Sequence, residues 1–288
     1  MLVNRGLVPS REKAQAFLMA GAVSVDGLKE TKAGTKVDVD AEILLAKDPV
    51  PYVSRGGLKL EAALFEWGIG LSGAVCIDIG ASTGGFTDLM LKRGAAKVYT
   101  IDVGYGQLDY KLRNDPRVVN MEKTNIRLLD PDGFPEKADF ITIDVSFISL
   151  KLVLPVAAGL LKGLCAQQAE GPLEGLCGQQ AEAGAETRAE TGAGVAEGHI
   201  GRPLIVCLIK PQFEAERGQV GKGGIVRDLA VHEAVLGKVK GYAADNGFSV
   251  DGVMDSPILG TKGNKEFLAL LTAQGAAGGQ EGMWSFDG

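Results

Sequence analysis

Val75-Cys-Ile-Asp-Ile-Gly-Ala-Ser-Thr-Gly-Gly-Phe86 joins an apolar run to a glycine-rich turn and then to a helix. Val75 to Ile79 carries one acid, Asp78, and stops at Gly80. Such a run reads as a buried strand of a parallel sheet. Gly80, Gly84 and Gly85 let the backbone turn sharply and approach a ligand closely. Phe86 to Arg93 has helical spacing and good helix formers. Strand, glycine loop and helix open a nucleotide-binding α/β fold.

The glycine spacing, G-x-x-x-G-G, differs from the dinucleotide fingerprint G-x-G-x-x-G. A pyrophosphate needs backbone amides and no adjacent carboxylate. Asp78 beside the loop suits a cationic or amine-bearing ligand instead, such as the sulfonium and amino group of S-adenosylmethionine. An ordinary glycine-rich turn remains open at this point.

Further strands follow at α/β intervals. Lys97–Val103 carries Asp102 near its end, 24 residues after Asp78, where an acid that binds ribose hydroxyls belongs. Val118–Asn125 is a third strand and loop. Ala138–Asp144 is a fourth, again ending in a carboxylate. Ligands of parallel sheets bind at the carboxyl ends of strands, so three acids there point to one site. Leu150–Lys162 is a helix whose Pro155 offsets its start. Leu204–Lys210 is an apolar strand closed by a lysine, a costly placement unless the charge is paired or functional. Gly218–Gly224 is a candidate lid. A long helix from Arg227-Asp228 to about Asn246 follows, with Asp228 as N-cap. Phe248–Met254 and Lys265–Leu271 form a closing antiparallel hairpin, with Glu266 at the entrance of its second strand.

The 288 residues allow one large domain and a small one, and no apolar run approaches the length of a membrane span. No signal peptide is evident, and none of the spacings among Cys76, Cys165, Cys177 and Cys207 suits zinc. A reduced, cytoplasmic, metal-free protein is expected. The net charge is −6, but −5 of it falls between Ala166 and Ile200, while Met1–Lys36 carries +3. The N-terminal piece is thus basic enough to meet phosphates.

Residues 1–48 read as a small α+β module. Ser10 caps a helix from Arg11 to Ala20, Gly21 stops it, and Val23–Val25, Lys36–Val39 and Ile43–Leu45 are short strands. Residues 49–55, entered through Asp48-Pro-Val-Pro51, are a stiff linker. Residues 56–272 form the larger domain. Within it, 165–201 is a low-complexity insertion containing a 12-residue duplication, and 273–288 is a frayed tail. The helix after the linker shows an apolar stripe of Leu58, Ala62, Phe65 and Ile69. Lys59 lies off that stripe and, taken alone, reads as a solvated surface lysine.

The frames Ser54-Arg-Gly-Gly-Leu-Lys59, Asp78-Ile-Gly-Ala-Ser-Thr-Gly-Gly-Phe-Thr87, Asp144-Val-Ser-Phe-Ile-Ser149, Ile209-Lys-Pro-Gln-Phe-Glu214 and Gly263-Asn-Lys-Glu-Phe267 together resemble the TlyA (hemolysin A) family. That family fuses an S4 RNA-binding domain to an FtsJ-like ribose 2′-O-methyltransferase. An S4 domain usually has a helix before its Arg-Gly turn. Only four residues precede Arg5 here, so that helix is expected to be truncated or a stub.

The resemblance implies a Rossmann-like α/β methyltransferase sheet with helices on both faces, behind a small α+β S4-like domain. It implies S-adenosylmethionine-dependent methylation of cytidine 2′-hydroxyls in ribosomal RNA, by a monomer acting on ribosomal subunits. Lys59, Asp144, Lys210 and Glu266 would be the catalytic tetrad, with Lys210 as base. A lysine accepts a proton only when neutral. Burial and a second ammonium favour that form, and Asp144 and Glu266 oppose it. Gly80, Ser82, Gly84, Gly85 and Phe86 would line the methionine side of the cofactor, Asp102 its ribose, and Thr124 and Asn125 its adenine. Arg5, Arg11, Lys13 and Arg55 would meet RNA. A non-catalytic RNA-binding factor would have no reason to keep all four tetrad residues. A small-molecule or protein methyltransferase would not explain the basic N-terminal module. A membrane-lytic protein needs a spanning or amphipathic segment, and Phe140–Leu161 is broken by Asp144, Lys151 and Pro155.

Overall fold

A computed structural model describes residues 1–8, 10–19, 21–45, 51–163 and 202–274. The expected insertion at 165–201 with Cys165 and Cys177, the tail beyond 274 with Trp284 and Phe286, and residues 48–50 of the hinge lie outside the described residues.

The small module opens with one tight turn, in which the Arg5 N–H donates to the Met1 carbonyl at 2.9 Å. Helix α1 (Arg11–Met19) follows. Ser10 caps it by accepting from the Lys13 N–H at 3.2 Å, and Gly21, at φ 63°, closes it. Strands β1 (Val23–Val25), β2 (Leu28–Glu30) and β3 (Ile43–Leu45) make an antiparallel sheet in the order β2-β1-β3. Asp26 and Gly27, both at positive φ, form the turn between β1 and β2. Val8, Phe17 and Val23 are the core of this module.

One expectation fails here. Lys36–Val39 is a loop, and the strand is Leu28–Glu30, which the sequence reading passed over. The turn at Asp26-Gly27 forces the chain straight back into pairing with β1. The Lys36–Val39 segment is instead held by the Arg5 guanidinium, which donates to the Val39 and Ala41 carbonyls.

The large sheet contains β4 (Val75–Ile79), β5 (Lys97–Ile101), β6 (Val118–Met121), β7 (Phe140–Ile143), β8 (Leu204–Ile209), β9 (Phe248–Asp255) and β10 (Phe267–Ala273). Their order is β6-β5-β4-β7-β8-β10-β9. Strands β4 to β8 pair parallel, while β10 runs antiparallel to both β8 and β9. The direction of the sheet order changes at β4, so its carboxyl end and that of β7 border a crevice. Because β10 is reversed, its entrance lies at the same edge, with Phe267 opposite Ile209.

Side chains alternate across the sheet, and each face has its own helical cover. Cys76, Phe140, Val206 and Leu208 pack with helices α2 (Gly56–Glu66) and α3 (Gly85–Lys92). A short helix, α4 (Tyr110–Arg113), extends this side through Leu112. Ile77, Ile141, Ile205 and Cys207 pack with α5 (Leu154–Leu160) and with the long helix that precedes β9. Pro155 sits in the first turn of α5, where its missing N–H costs nothing. After β8 comes α6 (Pro211–Glu214), then α7 (Leu229–Asp245), capped by Asp228. Burial pushes the pKa of both Cys76 and Cys207 upward.

Of the apolar stripe expected along α2, Leu58 and Ile69 are partly buried against the core, but Phe65 is not. Leu60, Ala63 and Leu64 face the core, and Phe65 is 87% exposed. Both sets satisfy helical spacing. Packing against α3 selects between them: a Cβ on Gly57 would lie 2.4 Å from the Tyr52 ring, and one on Gly85 would lie 2.9 Å from the Gly57 nitrogen. Lys59 is consequently buried, not solvated. Phe140 is fully buried, so Phe140→Ala should cost about 3–5 kcal/mol of stability. Phe65→Ala should change stability by about 0.5 kcal/mol or less. Urea denaturation compares the two, and equal losses would return Phe65 to the core.

Candidate active site

A cavity of about 620 Å³ lies at the carboxyl edge of the large sheet. The start of α2, the glycine loop after β4, the ends of β7 and β8, and the loop leading into β10 form its walls. Two lysine–carboxylate pairs face it.

Lys59, one turn into α2, is 8% exposed, and its Nζ lies 2.7 Å from Oε2 of Glu266, which is 3% exposed. Desolvating both charges is tolerated because each answers the other. The loop backbone passes directly over this pair. A Cβ on Gly260 would sit 1.8 Å from Glu266 Oε1, so a side chain there would push the carboxylate out of its place beside Lys59. Asn264, buried just before β10, locks that loop in place. Its Oδ1 accepts from the Val226 N–H at 3.0 Å and its Nδ2 donates to the Gly224 carbonyl at 2.9 Å.

The second pair joins Lys210, the residue after β8, to Asp144, the residue after β7. Lys210 Nζ lies 2.6 Å from Asp144 Oδ1, an ionic contact without the alignment of a hydrogen bond. Lys210 Nζ also donates to Ser146 Oγ at 2.9 Å. The loop carrying Asp144 and Ser146 is held against α6. Glu214 accepts from Ser149 Oγ at 2.6 Å and from the Leu150 N–H at 2.8 Å. Burial raises the pKa of Glu214, and these donors oppose the rise. Phe147, 90% exposed, packs its ring 5.0 Å from that of Phe213 and holds φ at 63°. A bulky residue in that region carries strain of about 1–3 kcal/mol, which the surrounding contacts must hold.

The glycine loop is braced from below. Asp78 is 1% exposed and accepts from Thr87 Oγ1 at 2.6 Å, the Thr87 N–H at 3.1 Å and Thr142 Oγ1 at 3.0 Å. It thereby ties β4 to α3 and β7. Burial pushes its carboxyl up to about 6 against the pull of those donors. Gly80, at φ 86°, lies so close to β7 that a Cβ would meet the Asp144 carbonyl at 2.4 Å. Asp102 accepts from the Ser82 N–H at 2.8 Å and the Gly104 N–H at 2.7 Å, which shapes the far side of the loop.

Lys59, Asp78, Gly80, Ser82, Gly85, Phe86, Asp144, Lys210, Glu266 and Arg55 all line the cavity. Asp102 and Ser82 border a small adjoining recess. Gly84 supplies the left-handed residue that starts α3. Thr124 and Asn125 line neither space, although the Thr124 N–H donates to the Asp102 carbonyl at 2.9 Å and Asn125 caps a short 3₁₀ turn. Arg5, Arg11 and Lys13 lie in the small module, away from the cavity walls, and Arg5 is engaged with backbone carbonyls. The expected lid, Gly218–Gly224, is not part of the wall either. It is latched to Lys262 and Asn264, and Lys262 is the residue that lines the cavity. Sequence reasoning missed Ser146, Gly260 and Asn264. Only the glycine and asparagine gave a signal, as the punctuation of the loop before β10. Among the described residues no group of His, Cys, Asp and Glu could hold a metal ion, and no helix is long and apolar enough to cross a membrane.

Asp78 makes stability depend on pH. Its folded pKa lies above the ordinary 3.8, so its contribution is present below that value and is lost as pH rises through about 6. Between pH 5 and 7.5 the wild type should lose about 1.5 kcal/mol relative to Asp78→Asn. Urea titrations of both proteins at the two pH values measure this, and parallel pH profiles would contradict it.

The S4 domain family model matches residues 1–43, and the FtsJ-like methyltransferase family model matches residues 52–273. A protein of Mycobacterium tuberculosis named 16S/23S rRNA (cytidine-2′-O)-methyltransferase TlyA is 39% identical, over 95% of this chain and 88% of its own length. Hemolysin A of Brachyspira hyodysenteriae is 40% identical, over 92% of this chain and 95% of its own length. A solved structure of a presumed hemolysin from Streptococcus thermophilus is 42% identical, with a TM-score of 0.65, and the match covers 95% of this chain and 86% of that one. With an S4 domain ahead of its catalytic sheet, the chain belongs to the FtsJ-like methyltransferases of the TlyA, or hemolysin A, family.

Proposed function

We propose that the chain transfers a methyl group from S-adenosylmethionine to the 2′-hydroxyl of cytidine in ribosomal RNA. One observation carries this reading: two lysines, each paired with a carboxylate, face a single cavity beside the glycine loop. The acceptor and the RNA are supported by the relative named as a cytidine-2′-O-methyltransferase and by the S4 match. Ribosomal RNA as substrate supports a cytoplasmic location.

S-adenosylmethionine, when bound, supplies an electrophilic methyl on a sulfonium. The cavity volume and the turn made by Gly80, Gly84 and Gly85, of which Gly80 and Gly85 line the wall, suit its methionine end. Ser82 and Phe86 would line that end, Asp102 would hold the ribose, and Thr124 and Asn125 would approach the adenine. A ribose hydroxyl is a very weak acid, so the chain must take its proton as the new O–C bond forms. Lys210 is the base in this reading, and Asp144 holds its amine in place. Lys59 and Glu266 position the hydroxyl. Arg55, exposed at the cavity mouth, and Arg5, Arg11 and Lys13 on the small module, would meet RNA phosphates.

Labelled S-adenosylmethionine incubated with purified ribosomal subunits should place label on a cytidine ribose, located by nucleotide mapping. Label on a base, on protein or on no RNA would overturn the reading. Lys210→Ala should lower turnover by about 10²–10⁴-fold with cofactor affinity retained; near-normal turnover would remove Lys210 as base. Asp102→Ala should weaken cofactor binding in a direct titration, and unchanged affinity would rule out the ribose role.

A further inference from the structure

Resting on the reading of Lys210 as base, we infer that Ser146 is a positioning residue that aims the Lys210 lone pair at the ribose hydroxyl. The neutral amine has two N–H bonds and one lone pair. Two acceptors lie against Nζ: Asp144 Oδ1 at 2.6 Å and Ser146 Oγ at 2.9 Å. Ser146 Oγ takes the aligned N–H and so fixes the rotation of the amine to two staggered arrangements, and the Asp144 charge, which makes no aligned hydrogen bond, favours the one that turns the other N–H toward it. With Asp144 alone the amine can rotate about its Cε–Nζ bond, and the lone pair is aimed only part of the time.

The position of Ser146 is fixed by more than its own bond. It stands two residues after Asp144, on the loop that Glu214 grips at Ser149 and Leu150. The next residue, Phe147, is held at φ 63° with its ring against Phe213. Ser146 itself is exposed, so its own hydroxyl hydrogen can turn to water and need not compete for the lone pair. The step then balances. The ribose O–C bond forms as the S–C bond breaks, the sulfonium becomes a neutral thioether, and the hydroxyl proton passes to Nζ. The resulting ammonium has three N–H bonds and later returns one proton to solvent.

The test measures methyl transfer to purified ribosomal subunits across pH for wild type, Ser146→Ala and Ser146→Thr. A lost hydrogen bond to a charged group corresponds to a fall of about ten- to a hundredfold, expected in the plateau kcat of Ser146→Ala with cofactor affinity unchanged. The pH profile separates positioning from loosened structure. An acceptor beside Nζ stabilises the ammonium most, so removing it favours the neutral amine. The rising limb of the Ser146→Ala profile should therefore move to lower pH while its plateau falls. The other charged groups on the cavity, Arg55, Lys59, Asp78, Glu266 and Lys262, are left in place. Ser146→Thr, which keeps the hydroxyl, should recover most of the loss. A wild-type plateau in Ser146→Ala, an unmoved limb, or a Thr variant no better than Ala would each overturn the inference. Near-normal turnover in Lys210→Ala would instead overturn the base reading beneath it.

Discussion

The reversed pairing of β10 with β8 is the constraint on which the site depends. In a sheet of parallel strands, each strand delivers its last residues to the ligand edge. Asp144 and Lys210 arrive that way, at the ends of β7 and β8. Glu266 arrives by the opposite route, because an antiparallel strand begins where its neighbours end. Lys59 then descends from α2, whose close approach to α3 requires Gly85. Two directions of chain and one helix thus meet in a space of about 620 Å³. Each ammonium finds a carboxylate from a different element, and neither pair could form within one element alone.

The same logic explains why so many contacts around the cavity are braces. The Asp78 oxygens accept from Thr87 and Thr142, those of Glu214 accept from Ser149 and Leu150, and the Asn264 amide accepts from Val226 and donates to Gly224. Buried polar groups of this kind are stable only when fully answered, and once answered they fix the backbone firmly. The loops that present charge to the cavity are anchored at their feet, and the charges themselves face open space.

Much of the sheet was legible because buried strands announce themselves as short apolar runs bounded by glycine or a charge. Lysines and acids at the ends of such runs were legible for the same reason, since burying them needs a reason. The helix α2 was partly misread because 58/62/65/69 and 60/63/64 are both helical stripes, and only the neighbouring helix decides between them. The burial of Lys59 followed from that choice and was hidden with it. Three-residue strands such as Leu28–Glu30 carry too little alternation to register. Ser146 lies inside the Asp144–Ser149 frame but gives no signal of its own, because a hydroxyl on a loop obeys no spacing rule. Its partner lies 64 positions away in the chain.

The two buried cysteines add something the cavity does not. Cys76 and Cys207 are both fully buried, yet they lie on opposite faces of the sheet, one under α2 and α3, the other under α5 and α7. A thiol reagent reaches either sulfur only when the layer above it lifts, and the raised thiol pKa values suppress reaction while the layers stay closed. The sheet thus carries a separate clock on each side, and their alkylation rates would time the opening of α2 and α3 apart from that of the opposite layer.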